Sequence, residues 1–433
     1  KIMCLQRSRS LLVAVLLTAE TLAWTLETGS RIAVPPHSRI PVLSPGAAPS
    51  ILDLQHAEQW CTQSGLSERH LLNVYRHLFR RSGEFTPDAL HEKAELRRAD
   101  AAAMCEHFAG GITTSRVVER VPSEGGLKLV VELASGHRVE TVMILHEHKS
   151  TGSSRCTVCV SSQVGCSRGC SFCATGTMGL RRNLTSVEIL EQVWHARDEA
   201  ALGYEVRNVV FMGMGEPLDN YDALLSSLRG LTHQALFDLS AKHLTVSTVG
   251  ASPQHITRLA DEAPRVRLAL SLHSAMQSLR QRLIPSATTM PELTRALDYH
   301  ARVARCGLMV EYLLIDDLND GEDDADALAA FCAERDAAAA KVTPPLSRKE
   351  ARAAAGYVNL IPFNPTGAGD LHGYQTPSDD AVARFHERLR DKHGVNALVR
   401  WTSAVGRDAD GACGQLVIDQ PAIRRHNHKC PNS

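Results

Sequence analysis

The chain has 433 residues, of which 44% are hydrophobic and 22% are charged. At about 150 residues per domain, this length predicts two to three domains, and the composition excludes collagen-like, coiled-coil and mostly disordered proteins. The 47 Lys and Arg residues against 48 Asp and Glu residues give a formal net charge of −1. This balance argues against a strongly basic nucleic-acid binder, so a nucleic-acid partner would have to be held by a local basic surface.

Residues 1–50 are predicted to be a targeting leader. Arg7 and Arg9 precede the apolar run Leu11–Ala19, which is shorter than a membrane-spanning helix of about 20 residues and has the form of a signal peptide. Residues 28–52 contain no acid, as is typical of transit peptides. We therefore expect import into a plastid or another organelle, with a cytoplasmic location as the alternative.

Residues 51–110 show helical periodicity and predict a small helical domain. Residues 113–148 then alternate apolar and polar side chains on both sides of a turn at Gly125–Gly126, which is typical of hairpin strands. The first part of the chain is therefore expected to be a helical domain followed by a β-hairpin extension over residues 111–155.

Residues 156–417 alternate β-rich and helical runs in six or seven units, which favours a parallel barrel or an open α/β sheet. In both folds ligands lie at the carboxyl ends of the strands. The segment Asp336–Gly356 is expected to be an inserted surface loop, and residues 418–433 a tail. The predicted strands are Thr157–Ser161, Asn208–Met212, His243–Ser247, Val266–Leu272, Leu308–Ile315, Tyr357–Ile361 and Ala397–Trp401, and the predicted helices are 186–201, 220–230, 253–262, 276–283, 291–305, 324–335 and 378–392.

Five of the twelve cysteines fall within one short segment, whereas the others are scattered singly and predict small buried side chains. Cys166, Cys170 and Cys173 form a CxxxCxxC motif in a loop that contains Ser and Gly. Three thiolates can hold a 4Fe–4S cluster and leave one iron open for a substrate. A four-cysteine zinc site is the alternative. It would use the CxxC pairs that start at Cys156 and Cys170, and would leave Cys166 without a role.

Longer phrases lie around this motif and farther along the chain. They are Cys159–Cys166, Arg182–Thr185, Phe211–Leu218, Ser271–His273, Asn359–Asn364 and Ala412–Leu416. Together with the motif they resemble the RlmN/Cfr family of radical S-adenosylmethionine (SAM) enzymes, which methylate adenines in RNA. The resemblance runs, with gaps, from about Leu52 to Val417. It implies a partial parallel (β/α)6 radical SAM barrel with an N-terminal helical accessory domain and a β-hairpin extension.

The resemblance implies a 4Fe–4S cluster and SAM as cofactors, with a role for each matching residue. Cys166, Cys170 and Cys173 would ligate the cluster, whose open iron would bind the methionine part of SAM. Gly215 and Glu216 would meet the amino end of SAM, since glycine permits close backbone approach and glutamate supplies a charged acceptor. The other SAM contacts expected from the motifs are Ser247, Ser271, Leu272, His273 and Asn364.

The resemblance also implies a covalent route, because an adenine ring carbon is not nucleophilic. One SAM would methylate Cys413, and a second would give a deoxyadenosyl radical that takes a hydrogen from that methyl group. The carbon radical would add to adenine, and Glu140 would remove the ring proton. Cys159 would then attack Cys413 and release the product by forming a disulfide. Because this attack needs an accessible thiolate, Cys159 should not bind a metal.

The implied substrate is an adenosine in 23S-type large-subunit rRNA, with tRNA as a second candidate. Methylation is expected at carbon 2, with carbon 8 as the alternative. The helical domain resembles the accessory RNA-binding domain of the family. Arg168, Arg181 and Arg182 near the cysteine motif are candidates for phosphate contacts, with solvated surface residues as the equal alternative. We also expect an electron donor such as flavodoxin or ferredoxin, a monomeric enzyme and no stable membrane association.

Two other classes of function fit parts of the sequence. A radical SAM enzyme that acts on a small molecule or peptide would share the CxxxCxxC motif but would not need both Cys159 and Cys413. An RNA-binding protein stabilised by zinc would need neither iron nor SAM.

Overall fold

The computed structural model describes residues 48–80, 83–123, 125–147, 154–200, 204–341, 356–401, 414–416 and 418. The leader before residue 48, Cys413, and residues 419–433 of the tail lie outside the described residues. Within the described part of the chain, no helix is both long enough and apolar enough to cross a membrane.

The first described segment is helical, as its periodicity predicts. Its helices are α1 (Leu54–Gln63), α2 (Glu68–Arg80), α3 (Pro87–Lys93) and α4 (Arg98–His107). Side chains cap two of the helices: Asp53 accepts from the N–H of His56 at 3.1 Å before α1, and Thr86 accepts from the N–H of Ala89 at 3.3 Å before α3. Such caps satisfy N–H groups that have no partner inside a helix.

The alternating segment forms antiparallel strands, also as predicted. They are β1 (Arg116–Ser123), β2 (Gly126–Glu132) and β3 (Arg138–Glu147). The turn between β1 and β2 contains Gly125, whose φ of +76° favours glycine. Strand β3 then pairs in antiparallel register with β4 (Ser154–Cys159). The hairpin extension is therefore continuous with the main sheet.

From β4 onward the sheet is parallel. Among the described residues the sheet has ten strands, which lie beside one another in chain order. The remaining strands of this sheet are β7 (Glu205–Phe211), β8 (Leu244–Thr248), β9 (Arg267–Ser271), β10 (Met309–Leu314), β11 (Tyr357–Pro362) and β12 (Ala397–Val399), and a separate pair is formed by β5 (Gln163–Val164) and β6 (Arg182–Asn183). Because the strands of the parallel part run in one direction, their carboxyl ends meet at one edge.

Helices connect these strands. They are α5 (Ala174–Thr177), α6 (Ser186–Ala200), α7 (Tyr221–Thr232), α8 (Pro253–Glu262), α9 (Gln277–Leu283), α10 (Met290–Ala304), α11 (Glu322–Ala340), α12 (Gly367–Asp370) and α13 (Asp379–Glu387). All but the two short helices Ala174–Thr177 and Gly367–Asp370 lie where the sequence predicts a helix. One prediction is wrong: residues 336–340, expected to begin a surface loop, continue α11. Alanine has the highest helix propensity, and four consecutive alanines end this helix. Residues 342–355 of the expected loop lie outside the described residues.

The helical segment and the sheet share one hydrophobic core. Phe79 of α2 lies edge-on against Trp194 of α6 at 4.8 Å and against Phe237 at 5.0 Å between ring centroids. The buried carboxylate of Glu191 accepts from the N–H of Thr114 at 2.7 Å, which joins the segment after α4 to α6. The domain boundaries expected at residues 110 and 155 stay a prediction.

Candidate active site

The three cysteines of the CxxxCxxC motif lie in the loop after β5, at the carboxyl ends of the parallel strands. Cys166, Cys170 and Cys173 line one cavity of about 140 Å³. Backbone hydrogen bonds fix the loop: the N–H of Cys173 donates to the carbonyl of Cys170 at 3.1 Å, and the N–H of Ser171 donates to the carbonyl of Leu283 at 3.0 Å. The motif is thus held against the end of α9.

Burial raises the pKa of each of the three thiols, because the desolvated thiolate is disfavoured. The pKa of Cys166 rises to about 12, and those of Cys170 and Cys173 are raised as well. Binding of a metal centre releases these protons, since the thiolate is the ligand. Three soft sulfur ligands that line one cavity fit a 4Fe–4S cluster with an open iron.

The structure does not support the four-cysteine zinc alternative. Within the described ranges, no three His, Cys, Asp or Glu side chains are grouped to hold a single metal ion. Cys156 lies in β4, fully buried in the hydrophobic core. The three thiolates of a cluster each bind a different iron, so they lie farther apart than the ligands of one ion. The absence of such a group among the described residues therefore argues against a zinc ion and does not argue against a cluster.

The segment after β7 forms one wall of the cavity. Gly215 has a φ of +104°, and a Cβ there would lie 2.7 Å from the Cβ of Gln163, so this position requires glycine. The neighbouring Glu216 is 4% exposed, and its Oε2 accepts from the N–H of Val249 at 3.0 Å. Burial raises the pKa of Glu216 to about 7, although the hydrogen bond from Val249 opposes this rise. An ammonium group in the cavity would find a buried carboxylate partner here.

Polar side chains from the next strands complete the cavity wall. Ser247 and Ser271 line it with their Oγ atoms 3.3 Å apart. His273 follows β9 with a φ of +59°, and its Nδ1 accepts from the N–H of Leu313 at 3.0 Å, so the ring proton is on Nε2. Burial, followed by the charge of Arg280, lowers the pKa of His273 to about 3. The imidazole is therefore neutral and offers an N–H donor.

Two of the predicted SAM contacts do not line the cavity in the described structure. The side chain of Leu272 is fully buried in the core, and its N–H donates to the carbonyl of Glu311 at 3.0 Å. Asn364, which follows β11, is 4% exposed, and its buried Nδ2 has no hydrogen-bond partner among the described residues. An orphaned buried donor fits contact with a ligand, whereas the apolar side chain of Leu272 can only pack.

Glu140 and Cys159 lie on the same face of the sheet. Cys159 is the register partner of Val142 on β3, and Glu140 precedes Val142 by two residues. The Glu140 carboxylate pairs with the Lys128 ammonium at 2.9 Å, with only 2% of the Glu140 side chain exposed. Neither Glu140 nor Cys159 lines the cavity as the described residues form it. Their assignment as base and resolving thiol stays a prediction.

Residues that follow Cys413 reach the cavity, although Cys413 itself lies outside the described residues. Gly414 and Leu416 both line it. The carbonyl of Gly414 accepts from the N–H of Ala174 at 2.8 Å, and the carbonyl of Leu416 accepts from Oγ1 of Thr175 at 2.5 Å. Helix α5, which directly follows the cysteine motif, therefore anchors this part of the chain.

Two of the three basic residues expected to meet phosphates are engaged inside the protein. Arg168 pairs with Asp219, and Arg182 pairs with Glu188 at 2.5 Å; both arginine side chains are at most about one fifth exposed. Separating such partly buried pairs is unfavourable. Of the three, Arg181 is the exposed one. Contact of these residues with phosphates stays a prediction, with Arg181 as the accessible candidate.

Two charged residues at the site were missed by the sequence reasoning. Glu311 on β10 lines the cavity and accepts from Nδ2 of Asn359 at 2.8 Å, and burial raises its pKa to about 7. Arg280 on α9 is fully buried beside the cysteine loop, whereas Arg282 on the same helix is exposed. The one available signal for Arg280 was its spacing of three residues from Leu283 and four from Ile284, which places it on their face of a helix.

Similarity to known proteins agrees with this geometry. Residues 160–328 match the family model of the Radical SAM superfamily. The chain is 38% identical over 315 residues to "Ribosomal RNA large subunit methyltransferase N" of Nitrosopumilus maritimus (strain SCM1), which covers 71% of this chain and 82% of that protein. It is 35% identical over 372 residues to "Probable dual-specificity RNA methyltransferase RlmN" of Synechococcus elongatus, and this match covers 84% of this chain and 91% of that protein.

A crystal structure of a radical SAM methyltransferase from Sphaerobacter thermophilus is similar to this fold, with a TM-score of 0.70 and 32% sequence identity. The match covers 85% of this chain and 99% of that one. The α/β radical SAM fold expected from the sequence is thereby confirmed, and so are a 4Fe–4S cluster and SAM as the cofactors. Because this similarity extends over most of both chains, the chain belongs to the RlmN family of radical SAM RNA methyltransferases.

Proposed function

We propose that this enzyme methylates a ring carbon of an adenosine in large-subunit rRNA. One observation carries the proposal: a single cavity brings together the CxxxCxxC cysteines, Glu216, His273 and the segment that begins at Gly414. The name of the relative from N. maritimus supports rRNA as the substrate class. We propose carbon 2 as the methylated position, with carbon 8 as the alternative and tRNA as a second substrate.

The residues of the cavity bind and orient the cofactors. When bound, the cluster and SAM supply one-electron chemistry. The three cysteines of the motif would hold the cluster by its irons. Glu216 would pair with the amino group of SAM, and the N–H donor of His273 would meet its oxygen atoms. Asn364 does not line the cavity, but its orphaned Nδ2 is a further candidate donor to SAM. These groups are already buried and placed, so little reorganisation is needed on binding.

Release of the methylated base needs a proton acceptor and two thiols. We assign the acceptor to Glu140, whose charge the ammonium of Lys128 balances. The thiolate of Cys159 attacks the sulfur of Cys413, to which the methylene carbon is joined, and a sulfur–sulfur bond forms. The carbon–sulfur bond breaks, and the product carbon takes its electron pair and a proton.

We propose that RNA phosphates bind at the amino ends of the parallel strands. Four exposed cations lie there at the starts of adjacent strands: Arg155, Arg207, Lys242 and Arg267, which we call the amino-end cluster. The charges of all four act on His243, whose pKa is lowered first by burial and then by these cations. Within the described residues none of the four forms an ion pair, although Glu205 is the register partner of Arg155. Such a group of unneutralised cations fits a polyanion.

Anaerobic reconstitution tests the proposed reaction. The purified enzyme is supplied with iron, sulfide, SAM, a one-electron reductant and rRNA fragments, with tRNA in a parallel reaction. Mass spectrometry of the nucleosides then separates 2-methyladenosine, 8-methyladenosine and unmodified adenosine. We expect 2-methyladenosine in rRNA. Zinc without iron in anaerobically purified protein, or no methylated adenosine in either RNA, would contradict the proposal.

We further propose import into a plastid or another organelle, reduction by a flavodoxin or ferredoxin, and a monomeric enzyme. The motifs of residues 1–50 support the location. Fusion of this segment to a fluorescent protein tests it: an organellar signal is expected, and a diffuse cytoplasmic signal would contradict it.

A further inference from the structure

Arg280 is the largest fully buried side chain among the described residues. It lies on α9 between Leu279 and Leu283, which belong to the apolar cluster that packs against Cys170 and Cys173. A charged side chain thus lies inside the apolar support of the cysteine motif, where an apolar residue would be the ordinary choice.

Neutral groups hold the guanidinium of Arg280 in place. Nη1 donates to the carbonyls of Ser271 at 3.0 Å and Leu272 at 2.5 Å, and Nη2 donates to the carbonyl of Val249 at 2.5 Å. Nε is buried and has no hydrogen-bond partner among the described residues. Within the described part of the chain, Arg280 pairs with no carboxylate. The side chain is fixed in position, but its charge is not balanced by an acid.

The charge nevertheless persists. Burial lowers the pKa of Arg280 to about 10, with the thiolate form of Cys170 opposing this change, so the guanidinium stays protonated at neutral pH. A buried cation without an anion is unfavourable. The N–H of Ser171, next to Cys170, donates to the carbonyl of Leu283 on the same helix at 3.0 Å, so a cluster held by Cys170 would lie beside this cation.

We propose that Arg280 is the buried counter-charge of the 4Fe–4S cluster and holds its reduction potential in the working range. A cluster on three thiolates is an anion, and the electron that it takes from the one-electron reductant adds a further negative charge. A fixed cation beside Cys170 stabilises the reduced form more than the oxidised form. Arg280 is thus a positioning residue that acts through the cluster. This proposal depends on the assignment of the three cysteines as cluster ligands.

A redox titration followed by electron paramagnetic resonance tests this role in the reconstituted enzyme. Arg280→Gln removes the charge and keeps a hydrogen-bonding side chain, and Arg280→Lys keeps the charge. Arg282→Gln is the matched control, since Arg282 is exposed on the same helix. We expect a more negative potential for Arg280→Gln, a potential near that of the native enzyme for Arg280→Lys, and no change for Arg282→Gln. A native potential in an iron-loaded Arg280→Gln variant would overturn the proposal.

If Arg280→Gln is unstable, the iron and sulfide contents of the two Arg280 variants still decide the test. Should Arg280→Gln lose the cluster, retention of cluster and potential by Arg280→Lys supports a role for the charge. Equal loss by Arg280→Lys overturns it, because the hydrogen-bonding fork and not the charge would then be required. Failure of the native enzyme itself to bind iron would refute the cofactor assignment, which is a different outcome from a change confined to Arg280 variants.

Discussion

The two ends of the parallel strands carry positive charge in different ways. At the carboxyl ends, Arg168 and Arg182 are ion-paired and Arg280 is buried against backbone carbonyls, whereas Arg181 is exposed. At the amino ends, the four residues of the amino-end cluster are exposed and form no ion pair within the described residues. The net charge of −1 therefore does not show that the basic residues at the two ends differ in exposure and pairing. We propose that the carboxyl ends bind the cofactors in a buried site, while the exposed cations of the amino ends meet RNA phosphates.

The largest expected effect is the loss of iron and activity when the site at the carboxyl ends of the strands loses a cysteine. Cys170→Ala should lose iron and all methyl transfer, because a thiolate ligand is removed. Cys156→Ala is the matched control: this cysteine lies in the core of β4 and not in the cavity, so its iron content should stay native. Iron analysis and visible absorption check both variants. An equal loss of iron from Cys170→Ala and Cys156→Ala would contradict this assignment, because Cys156 would then be a metal ligand, as in the four-cysteine zinc alternative.

A second loss of activity should leave the cluster intact. Cys413→Ala should keep native iron content and transfer no methyl group, because the thiol that carries the methyl group is absent. Cys159→Ala should accumulate a covalent adduct of protein and RNA, visible as a shifted band on a denaturing gel. Normal methylation by Cys413→Ala, or clean turnover by Cys159→Ala, would show that other thiols do this work.

The buried pair on the hairpin should matter for stability. Lys128→Met removes the ammonium that lies 2.9 Å from the buried Glu140 carboxylate and should lower the free energy of unfolding by about 3–5 kcal/mol. The double variant with Glu140→Leu should recover most of this loss but should not methylate. Denaturant unfolding measures the first effect. A loss that the double variant does not recover would place the contribution of Lys128 in packing instead of charge.

The smallest expected effect is a pH dependence at the amino ends. Burial and four cations lower the pKa of His243 in the free enzyme. Bound phosphates would neutralise those cations and raise this pKa, so RNA binding takes up a proton and strengthens as the pH falls. We expect RNA affinity to rise about two- to threefold from pH 8 to pH 6, and His243→Asn to remove this dependence. An unchanged dependence in the variant would move the titrating group elsewhere.

Local pattern predicted most of the fold, whereas long-range pairing could not be predicted. The helix expected over 253–262 has those bounds, because amphipathic spacing is a property of neighbouring residues. The CxxxCxxC motif identified the cavity for the same reason. In contrast, Arg168 pairs with Asp219 across 51 positions of sequence. Arg280 and Arg282 differ in burial although both are arginines of one helix. Which charges remain exposed depends on tertiary packing, so the sequence could not show that Arg168 and Arg182 form ion pairs.

Salt-dependent RNA binding, measured together with single-turnover methylation, tests the division between the two ends most directly. The double variant Arg207→Gln/Arg267→Gln is compared with the native enzyme and with Arg282→Gln, which alters an exposed charge on α9. We predict that the double variant reduces the slope of log K against log salt by about 2, with an unchanged rate of methyl transfer at saturating RNA. Native RNA affinity with slower methyl transfer, or an equal loss of affinity in Arg282→Gln, would contradict this account.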